Sequence, residues 1–70
     1  MRRIKNRYII NYSAIDMSDG TILDEHKNEE AYAMTEKEAI NTVFFRVTMQ
    51  HIMRNVKVVV HQVETHWDGI

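Results

Sequence analysis

Apolar and polar side chains alternate along the first strand-like stretch, with Tyr8, Ile10, Tyr12 and Ala14 on one parity and Arg7, Ile9, Asn11, Ser13 and Ile15 on the other. Alternation at a period of two predicts a strand with one face buried. Asp19-Gly20 is the only sharp turn signal, because proline is absent and the other glycine is Gly69. Asp-Gly favours a two-residue type I′ turn, in which both central residues take positive φ. A hairpin centred there pairs Ser18 with Thr21 and Met17 with Ile22. The same register puts the Tyr8 parity on one face with Leu23, Ala31 and Ala33, whose small side chains admit a helix. The other face holds the Arg7 parity against Asp24, His26, Asn28, Glu30 and Tyr32, and a bulge between Asp24 and Glu30 would shift it.

Thr35-Glu36-Lys37-Glu38 reads as a capping box, with Thr35 Oγ accepting from the Glu38 amide and the Glu38 side chain reaching back. The spacing that follows predicts a helix over Glu36 to Arg54. At 100° per residue it shows two apolar stripes: Ile40, Val43, Phe44 and Val47 on one side, and Phe45, Met49, Ile52 and Met53 on nearly the opposite side. Val58-Val59-Val60 then mark a third strand, from Val56 to about Trp67. The expected fold is α+β, a single ββαβ domain over residues 1–70. Its three-stranded antiparallel sheet has the order 2-1-3, with the helix on one face, because a right-handed crossover seats the third strand beside the first. The second strand is then an edge, and Asp24, Glu25, Glu29 and Glu30 discourage edge-to-edge pairing.

Composition narrows the functional classes. The 70 residues are 44% hydrophobic and 27% charged, which is globular composition, so the question is what holds so small a core together. With no cysteine, disulfides, thiolate metal sites and thiol catalysis drop out. Oligomerisation is the usual supplement for a domain of this size without staples. A net charge of −1 indicates neither a strongly basic nucleic-acid binder nor an acidic mimic. Residues 8–15 are too short and too polar for a signal or membrane segment, so the expected location is cytoplasmic, with no membrane partner.

Candidate chemistry is sparse. His61 and His66 have opposite parity and should face apart, His51 falls at the border of the buried helix stripe, and His26 sits on the acidic edge. No metal site is expected from them. The Asp16 to Glu25 stretch has a calcium-loop look, but Ile15 and Met17 stand where early ligands belong. Ser13 and Ser18 have no histidine set beside them by spacing, and no glycine-rich phosphate loop is present. No catalytic residue, enzyme activity or cofactor is expected.

Two surfaces remain. One helix stripe can be buried by the sheet, which leaves the other for a partner. Phe45, Met49, Ile52 and Met53 are therefore the candidate partner-binding residues, with a homodimer or another protein as occupant. The alternative is single-stranded nucleic acid at the start of the first strand. There Arg2, Arg3, Lys5 and Arg7 would contact phosphates, and Trp67 would stack on a base.

Ala33-Met34-Thr35-Glu36-Lys37-Glu38-Ala39-Ile40 resembles the strand-to-helix junction A-x-[ST]-x-x-E-A-I of many small α/β modules, ribosomal and phage-encoded ones among them. The chain as a whole, short, rich in Ile, Asn and Lys and free of Cys and Pro, is similar to small bacteriophage accessory proteins. That resemblance implies a protein that docks on a host or phage protein in the host cytoplasm and has no catalysis of its own.

Overall fold

The computed structural model describes residues 5–66. Strand β1 (Asn6–Asp16), strand β2 (Ile22–Ala33), helix α1 (Glu36–Gln50) and strand β3 (Val56–His66) follow in the expected ββαβ order. They form one antiparallel sheet of order β2-β1-β3, with β1 central. Trp67 lies outside the described residues.

Over most of the hairpin the expected register holds, with Tyr8 opposite Ala31 and Tyr12 opposite Lys27. Its tip differs. Asp16 donates its amide to the Thr21 carbonyl and accepts from the Gly20 amide, both at 2.8 Å, so the loop is the four residues 17–20. Two side-chain turns shape it: Asp16 Oδ1 accepts from the Ser18 amide, and Asp19 Oδ1 accepts from the Thr21 amide. Gly20 takes φ +77, which glycine adopts without steric cost. The two residues of register consumed by the longer loop are returned by irregularities in β2, between the partners of Tyr12 and Ala14 and between those of Ala14 and Ile15. His26, at φ 45, marks the first of them. This bulge also overturns the expected placement of Asp24. The residue is buried opposite Ala14, on the helix side of the sheet, and not on the open face.

Helix α1 starts where the sequence indicates. Thr35 is extended and its Oγ1 accepts from the Glu38 amide at 3.2 Å. Thr35→Ala should lower stability by about 1 kcal/mol, a fall of roughly 4–8 °C in melting temperature for a domain of this size. Circular dichroism melts of the two proteins check this. The far end is shorter than expected: the helix stops at Gln50, not Arg54, and the chain reverses through residues 51–54 with Met53 at φ 76. The reversal lets Asn55 accept from the Met17 amide and Val56 enter the sheet opposite Asp16.

The core lies between sheet and helix. It comprises Tyr8, Ile10, Tyr12 and Ala14 of β1, Ala31 and Ala33 of β2, and Ala39, Val43 and Val47 of α1. Alanines at 31, 33 and 39 bring helix and sheet backbones close, so bulk is supplied from β1. The buried helix stripe therefore runs through Ala39, Val43 and Val47, with Ile40 partly buried. Phe44, expected in that stripe, is 46% exposed.

Candidate functional site

The outer side of α1 and the reversal after it expose large apolar side chains. Phe45, Met49, Ile52 and Met53 are 66, 54, 68 and 97% exposed, so none of the four is used to close the core. Phe45 and Met49 are one helical turn apart, whereas Ile52 and Met53, expected on the same helix stripe, lie in the reversal beyond Gln50, where helical periodicity no longer sets their direction. Two threonine hydroxyls nearby are satisfied within the helix. Thr42 Oγ1 and Thr48 Oγ1 donate to the carbonyls of Glu38 and Phe44, each one turn back. From Ala39 to Met53 the only Lys, Arg, Asp or Glu is Arg46. Its guanidinium turns away to the sheet, where Nη1 donates to the Glu30 carbonyl at 2.6 Å and lies 3.6 Å from Glu29 Oε1. A solvated helix face normally carries charges, and this one carries none.

The basic end gives a different picture. The Arg7 Nε donates to Glu30 Oε2, so that cation is shared with a carboxylate. Lys5 borders an open cleft of about 340 Å³ with Tyr32, Met34, Glu38 and Asn41. Arg2, Arg3 and Trp67 lie outside the described residues. The structure brings His66 opposite Arg7, as the strand order requires, but it does not assemble a basic aromatic cluster among the described residues.

The open face of the sheet holds an arrangement that spacing did not reveal. β3 carries its own bulge at His61, between the residues paired with Asn11 and Tyr12. That bulge and the one at His26 flank the same position of β1. Ser13 Oγ lies 2.8 Å from His61 Nε2 and accepts from the His26 amide at 3.1 Å. The two imidazole rings stack above it, with centroids 4.1 Å apart and planes inclined by 22°. His26 Nδ1 also lies 3.2 Å from Asn11 Oδ1. With Ile15, Ile22, Glu25 and Val59 these groups line a cleft of about 230 Å³.

Two expectations are corrected by this geometry. Ser13 does have a histidine beside it, and His61 shares the open face with His66, because the bulge shifts the parity between them. His66, opposite Arg7, is still six β1 positions from Ser13, about 20 Å at the strand rise. Ser13 is nine-tenths buried, and its oxygen is engaged by the bulge amide. The arrangement can relay a hydrogen bond from β2 to β3, and it fixes both bulges.

The opposite side of the sheet carries the other polar cluster. The buried Asp24 carboxylate lies 2.9 Å from both Lys27 Nζ and His51 Nε2. Burial pushes its pKa up, but hydrogen bonds and charges from Lys27 and His51 outweigh that and hold it below the usual carboxylate range. His51 is thus tied to the hairpin, at the border of the buried surface as expected. No group of three or more His, Cys, Asp or Glu among the described residues is placed to hold a metal ion. No helix among them is long and apolar enough to cross a membrane. Comparisons with protein-family models, with characterised proteins and with solved structures find no match to this chain.

Proposed function

We propose that the protein is a small non-catalytic binding module that docks on protein through the outer face of α1, most simply on a second copy of itself. The observation that carries this reading is the face between Asn41 and Met53: four large apolar side chains exposed, hydroxyls satisfied within the helix, and its one strong charge turned back to the sheet. Self-pairing would place a two-fold axis between Phe45 and Met49. Antiparallel helices would set Phe45 against the partner's Met49, and aromatic–thioether contacts of this kind are worth about 0.3–1.5 kcal/mol each. Burial of each large apolar side chain adds about 1.5–3 kcal/mol on transfer grounds, and the costs of association take back a large part. A docking role of this kind accords with the resemblance to phage accessory proteins.

Solution mass across a concentration series tests the reading. Met49→Glu places a charge at the centre of the face without touching the core. It should halve the assembled mass while leaving the far-UV spectrum and the melting of the monomer fold unchanged. A variant that assembles as the parent does would show that this face is not the docking surface.

A further inference from the structure

The two edges of the sheet are built differently. The β2 edge carries Glu25, Lys27, Glu29 and Glu30, has two register breaks, and has Arg46 laid over its Glu30 carbonyl. Charges, bulges and a covering side chain are the devices by which a strand avoids recruiting another. β3 has one such device, the bulge at His61, but few charges and no side chain laid over it among the described residues. It hydrogen-bonds to β1 alone, and it carries five valines, Val56, Val58, Val59, Val60 and Val63, none of which is buried. Its only Lys, Arg, Asp or Glu residues are Lys57 and Glu64. Val56, Val58, Val60 and Val63 pack against the core from this side and each keeps part of its surface open. Arg46 reaches β2, so Phe44, two positions earlier and about 200° around the helix, projects over the β3 side, where it is half exposed.

We propose that β3 is a pairing edge and that its occupant is β3 of a second copy, antiparallel about a two-fold axis at Val60. The strand is self-complementary in this register. With the bulged His61 passed over, Val60 meets the partner's Val60, Val58 meets the partner's Val63, and Lys57 meets the partner's Glu64. The faces agree. Val58, Val60 and Val63 are opposite Ala14, Tyr12 and Ile10, on the helix side, whereas Lys57 and Glu64 are opposite Ile15 and Ile9, on the open side. The seam thus has valine pairs on one face and two opposite-charge pairs on the other, each a favourable cross-strand combination. Lys57 is available for this, since it forms no ion pair with any described residue. A slip of two residues parts both charge pairs, and a slip of one turns the valines to the wrong face. The product is a continuous six-stranded sheet with both helices on the same side, and the half-buried valines and Phe44 lie along its centre.

This contact is independent of the helix surface, so it is tested where that surface is disabled. In the full chain carrying Met49→Glu, the solution mass should be that of a dimer. Adding Lys57→Glu sets like charges opposite each other at both ends of the seam and should weaken the dimer at least tenfold. Adding Glu64→Lys as well exchanges the two charges in both copies and should restore it. Lys57 is exposed on the open face of the sheet, away from the helix, and a far-UV spectrum confirms that each variant is folded. A monomeric Met49→Glu protein at all concentrations, or a swap that fails to restore pairing, overturns the proposal. If the parent and Met49→Glu are the same dimer and Lys57→Glu dissociates both, the β3 seam stands and the helix reading falls.

Discussion

Tyr12→Ala should leave a large fraction of the protein unfolded at room temperature. Tyr12 is 1% exposed and is the bulkiest of the fully buried side chains, in a core whose other members include four alanines. Those alanines set the helix close to the sheet, so they cannot move in to fill the space that the ring vacates. Truncating a buried aromatic costs about 3–5 kcal/mol, and a domain of this size without disulfides has about 3–5 kcal/mol in total. The loss therefore matches the whole stability. The phenol is also placed electrostatically: burial, then the negative charges of Asp24 and Glu29, raise its pKa above the ordinary value, against a smaller opposing effect from Lys27. Tyr12→Phe keeps the ring and should cost no more than about 1.5 kcal/mol. Urea titrations followed by circular dichroism check both. A folded alanine variant with a midpoint near the parent's would mean that the core does not depend on this ring.

Asp24→Asn should be the second most damaging change, and its effect should depend on pH. The parent carboxylate ties β2 to itself through Lys27 and to the end of the helix through His51, so its charge secures one end of the sandwich. Losing charge-assisted bonds at a buried acceptor costs about 1–3 kcal/mol. Because Asp24 has a folded-state pKa below its unfolded value, its contribution is present in full above the unfolded pKa, about 3.9. As the pH falls below that value, the unfolded chain takes up the proton first, and the contribution is lost by the time the lower folded pKa is passed. The parent's urea midpoint should therefore drop on acidification from pH 5 to pH 3, and that of Asp24→Asn should drop less. Parallel acid profiles would remove Asp24 from this role.

Much of the topology is written in short-range signals. Alternation in β1, the Asp19-Gly20 turn, the Thr35 cap and the valine run each act locally, and the handedness of crossovers then leaves few ways to join them. The features that sequence reading mistakes are those set by competition between local signals. Asp-Gly alone asks for a two-residue turn, but the Asp16 side chain captures the Ser18 amide and lengthens the loop. The surplus reappears as bulges in β2, which move Asp24 into the interior, and with the separate bulge of β3 His26 and His61 come together over Ser13. Bulges leave no period in the sequence, so a cluster that depends on two of them is invisible there. The outer helix residues were legible because they break a rule, a second apolar stripe where one sheet can cover only one. Phe44 was misassigned because a helical wheel cannot say how far the helix leans over the sheet.

The strand order also governs how the molecule comes together in time. The β1–β2 hairpin closes over four residues, a local event, and α1 follows it directly. The β1–β3 ladder, by contrast, joins Arg7 to His66, nearly the full span of the described chain. Long-range pairings are slow because the entropy of loop closure must be met before any contact compensates for it. Until β3 arrives, the central strand has one open flank and the helix rests on half a floor. On this reasoning β3 docks last, after the hairpin and helix. The rate of that last step would then set how long the unpaired edge of β1 stays available to other chains in a crowded solution.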